Sequence, residues 1–306
     1  MNVTRRELIR LGAGAAAAGL TGPWTTLLAS EAKLITTTIP SSGIELPAVG
    51  LGTNRYRGAV GSADMAPLRK TLETFFRLGG RVIDTSPNYG NSEEVLGALL
   101  NEAGLRRAAF MATKVDREDG DAGVARMKSS IERLGEPIDL MQVHNLRGTE
   151  VQLEQMFEWT ATGRLGHVGI TTHRVEQHAE MEAIMRKHPL DFIQDTYSLA
   201  DRAAVERVLP LAIARGIAVL VNRPFGNGRL FGAVKGVELH GWAADIDAAS
   251  LGQVFLKYII SHPAATVPIP GTTKPHHAED NLAAARGRLP DAALRRDMEA
   301  FFDALL

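Results

Sequence analysis

The sequence predicts a single α/β domain of the (β/α)8 TIM-barrel class. Three observations carry this: eight short β-like runs, helical segments alternating with them, and no linker composition anywhere after residue 47. The runs fall at 48–53, 81–85, 109–115, 138–144, 165–172, 192–197, 217–222 and 265–270, each rich in apolar or β-branched residues. Between them apolar side chains recur at spacings of three and four. Leu68, Leu72, Phe75 and Phe76 form one such stripe and Met127, Ile131 and Leu134 another. A doubly wound sheet, the competing arrangement, usually shows fewer strand–helix units. Residues 35–46, with Ser41, Ser42 and Gly43 at their centre, suit a β-hairpin closing the barrel floor. Segment 226–241 is glycine-rich and aperiodic, so it reads as a functional loop. Residues 291–306 form an extra C-terminal helix, with Leu294, Met298, Phe301 and Phe302 on one face.

Composition narrows the range of partners. The chain has 306 residues, a net charge of −1 and no cysteine. The charge balance gives no global field toward nucleic acid or anionic membrane and favours a small-molecule partner. The lack of cysteine excludes disulfides and cysteine-ligated metals, and the histidines show no common ligand spacing, so no metal is expected. The first thirty residues differ in character. Arg5 and Arg6 precede a small-residue apolar run, Leu11 to Leu20, and Ala29 to Ala32 suit a signal peptidase. Residues 1–32 therefore read as a twin-arginine signal peptide for export to the periplasm or beyond. The domain proper is then 33–306.

In barrels of this class the reactive groups stand where strands end at the C-terminal face. Strand two ends in Asp84 with Tyr89 in the next turn, strand three ends near Lys114, and strand four ends in His144. Any one of these has an ordinary reading: a helix cap for the aspartate, packing for the tyrosine, a solvated rim for the lysine or histidine. Four compatible groups at three consecutive strand ends are a stronger signal. A phenol ionises near pH 10 in isolation, and a nearby ammonium stabilises its phenolate. A carboxylate keeps that ammonium charged and aimed, and an imidazole can bond and orient a carbonyl oxygen. The set suits protonating an oxygen as hydride reaches the adjacent carbon, and no side chain can supply that hydride.

These motifs resemble the aldo-keto reductase family over nearly all of the chain from about residue 36. The matching segments are Val49 to Thr53, Arg81 to Glu94, Ala112 to Lys114 and Ser130 to His144. The resemblance implies a tetrad of Asp84, Tyr89, Lys114 and His144, with Tyr89 as general acid, and an NADP(H) cofactor reducing aldehydes or ketones. It also implies cofactor contacts at Gly52 and Thr53 after strand one, at Asn145 after His144, and at Gln194 for the nicotinamide amide. Asn222, Arg223, Pro224, Phe225, Gly226 and Gly228 resemble the loop that folds over the pyrophosphate. Gly271, Thr272, Lys274 and His277 resemble the 2′-phosphate site, with Asp280 and Asn281 near the adenine; a helix N-terminus with such donors suits an anion. The chain departs from the family pattern after strand five, where Thr172-His173 stands in place of a Ser-Asn pair. It departs again at strand seven, where Asn222 replaces a stacking aromatic. Two further readings stay open: export, where free NADPH is not expected, suggests an oxidoreductase holding and recycling a tightly bound NADP, and the departures leave a redox-sensing regulatory barrel with little turnover.

Overall fold

The computed structural model describes residues 33–264 and 266–306. The paired arginines and apolar run of the expected export signal lie outside the described residues. Two strands, β1 (Thr36–Thr38) and β2 (Glu45–Pro47), pair antiparallel as the expected hairpin. Eight parallel strands follow: β3 (Leu51–Gly52), β4 (Val82–Asp84), β5 (Phe110–Val115), β6 (Ile138–His144), β7 (Leu165–Thr171), β8 (Phe192–Thr196), β9 (Ala218–Asn222) and β10 (Thr266–Pro268). They pair in sequence order from β3 to β10. The sheet then closes on itself: the Gly50 and Gly52 amides donate to the Pro268 and Pro270 carbonyls at 2.9 and 3.2 Å, and Gly52 bridges Gly271. Closure needs glycine at position 52, since a Cβ there would stand 2.7 Å from the Ile269 carbonyl oxygen. This is a (β/α)8 barrel.

The outer layer comprises α1 (Ala66–Arg77), α2 (Ser92–Glu102), α3 (Gly120–Leu134), α4 (Thr149–Ala161), α5 (His178–Lys187), α6 (Val208–Arg215), α7 (Arg229–Ala233), α8 (Leu251–Ile260), α9 (Pro275–Ala283) and α10 (Ala292–Asp303). Asp119 caps α3, Ser250 caps α8 and Asp291 caps the expected C-terminal helix α10, each by accepting backbone N–H bonds. Segment 226–241 is not loop throughout, because the five-residue α7 forms inside it. One turn and a half of helix is too short to show a period, and this one is held by Phe231 packing on Phe225 and Phe255.

The core has two layers. Inside the barrel Val82, Phe110, Ala112, Leu140, Phe192, Ala218, Leu220 and Val267 pack together with Ile39 and Leu46 of the hairpin. The hairpin thus plugs the barrel floor, and Ser42 Oγ on its turn meets His167 Nε2 of β7 at 3.0 Å. A larger cluster fills the space between sheet and helices.

Candidate active site

Strand side chains alternate between faces, so the interior layer fixes what points inward one step later. Val82 inside places Asp84 inside; Phe110 and Ala112 place Lys114; Leu140 places Gln142 and then His144; Phe192 places Gln194; Leu220 places Asn222. The last inward position on five strands is therefore polar, and all five lie at the C-terminal end of the barrel. The apolar plug below them excludes water from that side.

Lys114 and Asp84 form the centre of the cluster. The ammonium donates to both Asp84 oxygens at 2.8 and 2.6 Å and to the Thr85 carbonyl at 2.7 Å, with both side chains almost wholly buried. Burial alone opposes the charged lysine, but Asp84 and then the Tyr89 phenol outweigh it and hold Lys114 above the ordinary lysine value. Gln142 and Gln194 each add an amide donor to Asp84 Oδ1, at 3.2 and 2.8 Å. Tyr89 is half-buried with its ring 5.4 Å from Lys114 Nζ, and it meets the His144 ring edge-on at 6.3 Å. Burial, followed by the Lys114 charge, pulls His144 down to about 3, so its imidazole is neutral at physiological pH.

Around this centre lie groups that sequence reading passed over. Ser86 Oγ stands 3.2 Å from His144 Nδ1, and Asn88 links Asp116 and Arg126 beside it. Asp195 points outward from β8 and pairs with His178 at 2.8 Å, a bond that raises His178. No periodicity flags such residues; only their partners do. Tyr56, in the turn after β3, is fully buried in the core.

The residues predicted to hold cofactor fall into three groups. At the rim between β7, β8 and β9, Asn222 donates to the Thr172 carbonyl at 2.8 Å and accepts from Thr196 Oγ1 at 2.7 Å. Thr172 is buried and donates to Gln177 at 2.6 Å, while Gln177 reaches the Asn145 carbonyl at 3.2 Å. His173 is half-exposed and lowered by burial, then by Arg223 and Arg174. A cavity of about 170 Å3 opens there, lined by His173, Thr196, Asp201, Arg223 and Arg229 among others. Arg223 holds a left-handed backbone (φ 48°), continued by Gly226, Asn227 and Gly228, while Pro224 and Phe225 turn the chain back toward the core. In the second group, at β10, Thr272 accepts from the Lys274 amide at 3.1 Å and so shapes the start of α9, leaving Lys274 and His277 exposed and Asn281 buried. The third group does structural work. Thr53 Oγ1 donates to the Asp84 carbonyl at 2.8 Å, Gly52 and Gly271 form the barrel seam, and Asp280 is taken up by Ser250 and Gln253 at 2.8 and 2.7 Å. Asp280 thereby joins α9 to the N-terminus of α8. Among the described residues no group of three His, Asp or Glu side chains stands ready for a metal, and no helix is long and apolar enough to cross a membrane.

A parallel barrel with a buried ammonium–carboxylate pair under a tyrosine and a neutral imidazole at its mouth has the features of an oxidoreductase fold family. The chain belongs to the aldo/keto reductase family, whose model matches residues 48–296. It is 33% identical over 213 residues to aldo-keto reductase YhdN of Bacillus subtilis, a match covering 64% of this chain and 63% of YhdN. An uncharacterized oxidoreductase of Schizosaccharomyces pombe is 30% identical, covering 70% of this chain and 72% of its own. In fold it matches an aldo-keto reductase from Klebsiella pneumoniae crystallised with NADPH, with TM-score 0.74 at 22% identity over 88% of this chain and 96% of that one.

Proposed function

We propose that this protein is an NADP(H)-dependent reductase of aldehydes or ketones, with Tyr89 as the proton donor. The observation that carries the reading is the Lys114–Asp84 pair, buried, charged and set beneath the Tyr89 ring. A fixed positive charge at that place favours the phenolate left when a proton moves to a substrate oxygen. His144, neutral and edge-on to Tyr89, supplies a second bond to the same oxygen and fixes the carbonyl plane.

The donor set at the rim suits a dinucleotide. Arg223, Arg229 and His173 line one cavity and fit a pyrophosphate, offset only by Asp201, which pairs with Arg229. The exposed Lys274 at the start of α9 and neighbouring His277 suit a 2′-phosphate. When bound, the nicotinamide supplies the hydride; the chain's own residues position the carbonyl and deliver the proton. Thr172, Gln194 and Asn222 are the side chains nearest the strand ends for the carboxamide, each reaching it by exchanging a bond it now makes within the protein. The Klebsiella neighbour crystallised with NADPH supports the choice of cofactor.

Tyr89→Phe tests the assignment. The variant is expected to lose turnover of a broad aldehyde and ketone panel by about 10²–10⁴-fold while NADPH binding, followed by quenching of nicotinamide fluorescence, stays within twofold of wild type, roughly 0.4 kcal/mol. Full activity in the phenylalanine variant would remove Tyr89 from the mechanism. Twin-arginine export of the folded chain is part of the same proposal, resting on Arg5 and Arg6; retention of NADP through extensive dialysis of the exported protein would join the two.

A further inference from the structure

The residues flanking Pro87 have a job that the tetrad does not describe. Asn88 sits between one group that only donates and another that only accepts. Arg126 Nη2 donates to Asn88 Oδ1 at 2.9 Å, and Asp116 Oδ2 accepts from Asn88 Nδ2 at 2.6 Å. A guanidinium cannot accept and a carboxylate cannot donate, so the amide has one orientation. Arg117, bonded to the other Asp116 oxygen at 2.6 Å, holds that carboxylate in place. The second Asn88 Nδ2 hydrogen then faces His144 Nδ1 at 3.5 Å. Ser86 Oγ reaches the same Nδ1 at 3.2 Å and accepts the Asn88 backbone N–H at 3.2 Å, which leaves its own proton free to point at the imidazole. Two donors converge on one ring nitrogen.

We infer that Ser86 and Asn88 are positioning residues that hold His144 as the tautomer with a bare Nδ1 and a proton on Nε2. A neutral imidazole carries one proton, and a nitrogen facing two donors must offer its lone pair. Nε2, the nitrogen left over, becomes a fixed hydrogen-bond donor. In the other tautomer Nε2 would present a lone pair to the carbonyl oxygen and repel it. The proposal rests on the carbonyl-reduction reading for its catalytic consequence and on geometry alone for the tautomer. Ser86 is fully buried, and its hydroxyl has no solvent to satisfy it, so a protein partner for its proton is required.

The test reads the imidazole directly. The full chain is labelled with 15N-histidine, its nine histidines are resolved by long-range 1H–15N correlation, and the His144 signal is identified by its loss in His144→Gln. The wild type is expected to show an unprotonated Nδ1 and a protonated Nε2. Ser86→Ala combined with Asn88→Asp removes one donor and sets an acceptor-only carboxylate against Nδ1. That variant is expected to shift the proton to Nδ1 and to lower carbonyl turnover roughly a hundredfold, the loss typical of one oxyanion donor, with NADPH affinity unchanged. Ser86→Thr, which keeps the hydroxyl, is expected to retain the wild-type tautomer. A wild-type spectrum with the proton on Nδ1 overturns the inference without any variant needing to fold, and so does a double variant with an unmoved proton. A wild type that shows the expected tautomer yet reduces no carbonyl would sink the functional reading and leave this one standing.

Discussion

Removing the Asp84 charge isolates what the buried pair does. In Asp84→Asn the Lys114 ammonium keeps the Thr85 carbonyl and one amide oxygen but loses both carboxylate contacts, at 2.8 and 2.6 Å. With side chains 1% and 3% exposed, water cannot replace them. Breaking such a pair from one side costs about 3–5 kcal/mol, against under about 1 kcal/mol for an exposed pair. For a domain of this size that lowers the melting temperature by roughly 10 °C. Lys114→Met strands a carboxylate but leaves it the Gln142 and Gln194 amides, so its cost is smaller. The double variant strands no charge and is expected to regain about 2–3 kcal/mol over the sum of the singles. Urea unfolding followed by circular dichroism gives each midpoint, and NADPH consumption gives turnover, which is expected to fall in all three. Additive losses below about 1 kcal/mol each would refute the claim that this pair is desolvated and coupled.

Other consequences follow from single contacts. Asp195 raises His178, so the pair's contribution to stability is fully present below the unfolded histidine value of about 6.5 and is lost as pH rises through the folded value. Urea midpoints measured across that window should fall toward alkaline pH in the wild type and stay flatter in His178→Gln. Gly97 lies mid-helix in α2, where alanine normally helps by about 1 kcal/mol, yet an added Cβ would run into the Arg133 carbonyl at the end of α3. Gly97→Ala is therefore expected to destabilise by about 1–3 kcal/mol, and a raised unfolding midpoint would contradict the packing. Arg223 is exposed on the rim cavity, so Arg223→Ala should weaken NADPH binding about tenfold, or 1.4 kcal/mol, and reduce its salt dependence; an unchanged titration would remove Arg223 from the cofactor site.

The barrel was legible because its signals are periodic. Apolar runs such as 138–144 and 192–197 coincide with β6 and β8 to within a residue, and the helical stripes mark α1 and α3. The clustering of Asp84, Tyr89, Lys114 and His144 was legible because strand ends define one face, which turns four distant sequence positions into neighbours. What stayed hidden was the bonding state of each polar group. Asp280 reads from the sequence as a ligand contact, and only the structure shows Ser250 and Gln253 bonded to it, about thirty positions away with no pattern linking them. Gln142 and Asn88 were passed over for the same reason: an amide's worth depends on what faces it. Helix α7 escaped because five residues cannot display a period.

The Asp84 carboxylate receives a lysine from β5 and glutamines from β6 and β8 while standing on β4. Four of the eight staves of the barrel thus share one knot, and that knot is also the proposed reaction centre. Losing chemistry here means loosening the mouth. A descendant barrel that abandoned catalysis could not simply let these residues drift, because each lone substitution leaves a buried polar group without its partner. Drift toward inactivity would have to replace the lysine, the aspartate and both amides together with apolar volume. The fold's mechanical integrity and the proposed chemistry therefore rest on the same side chains.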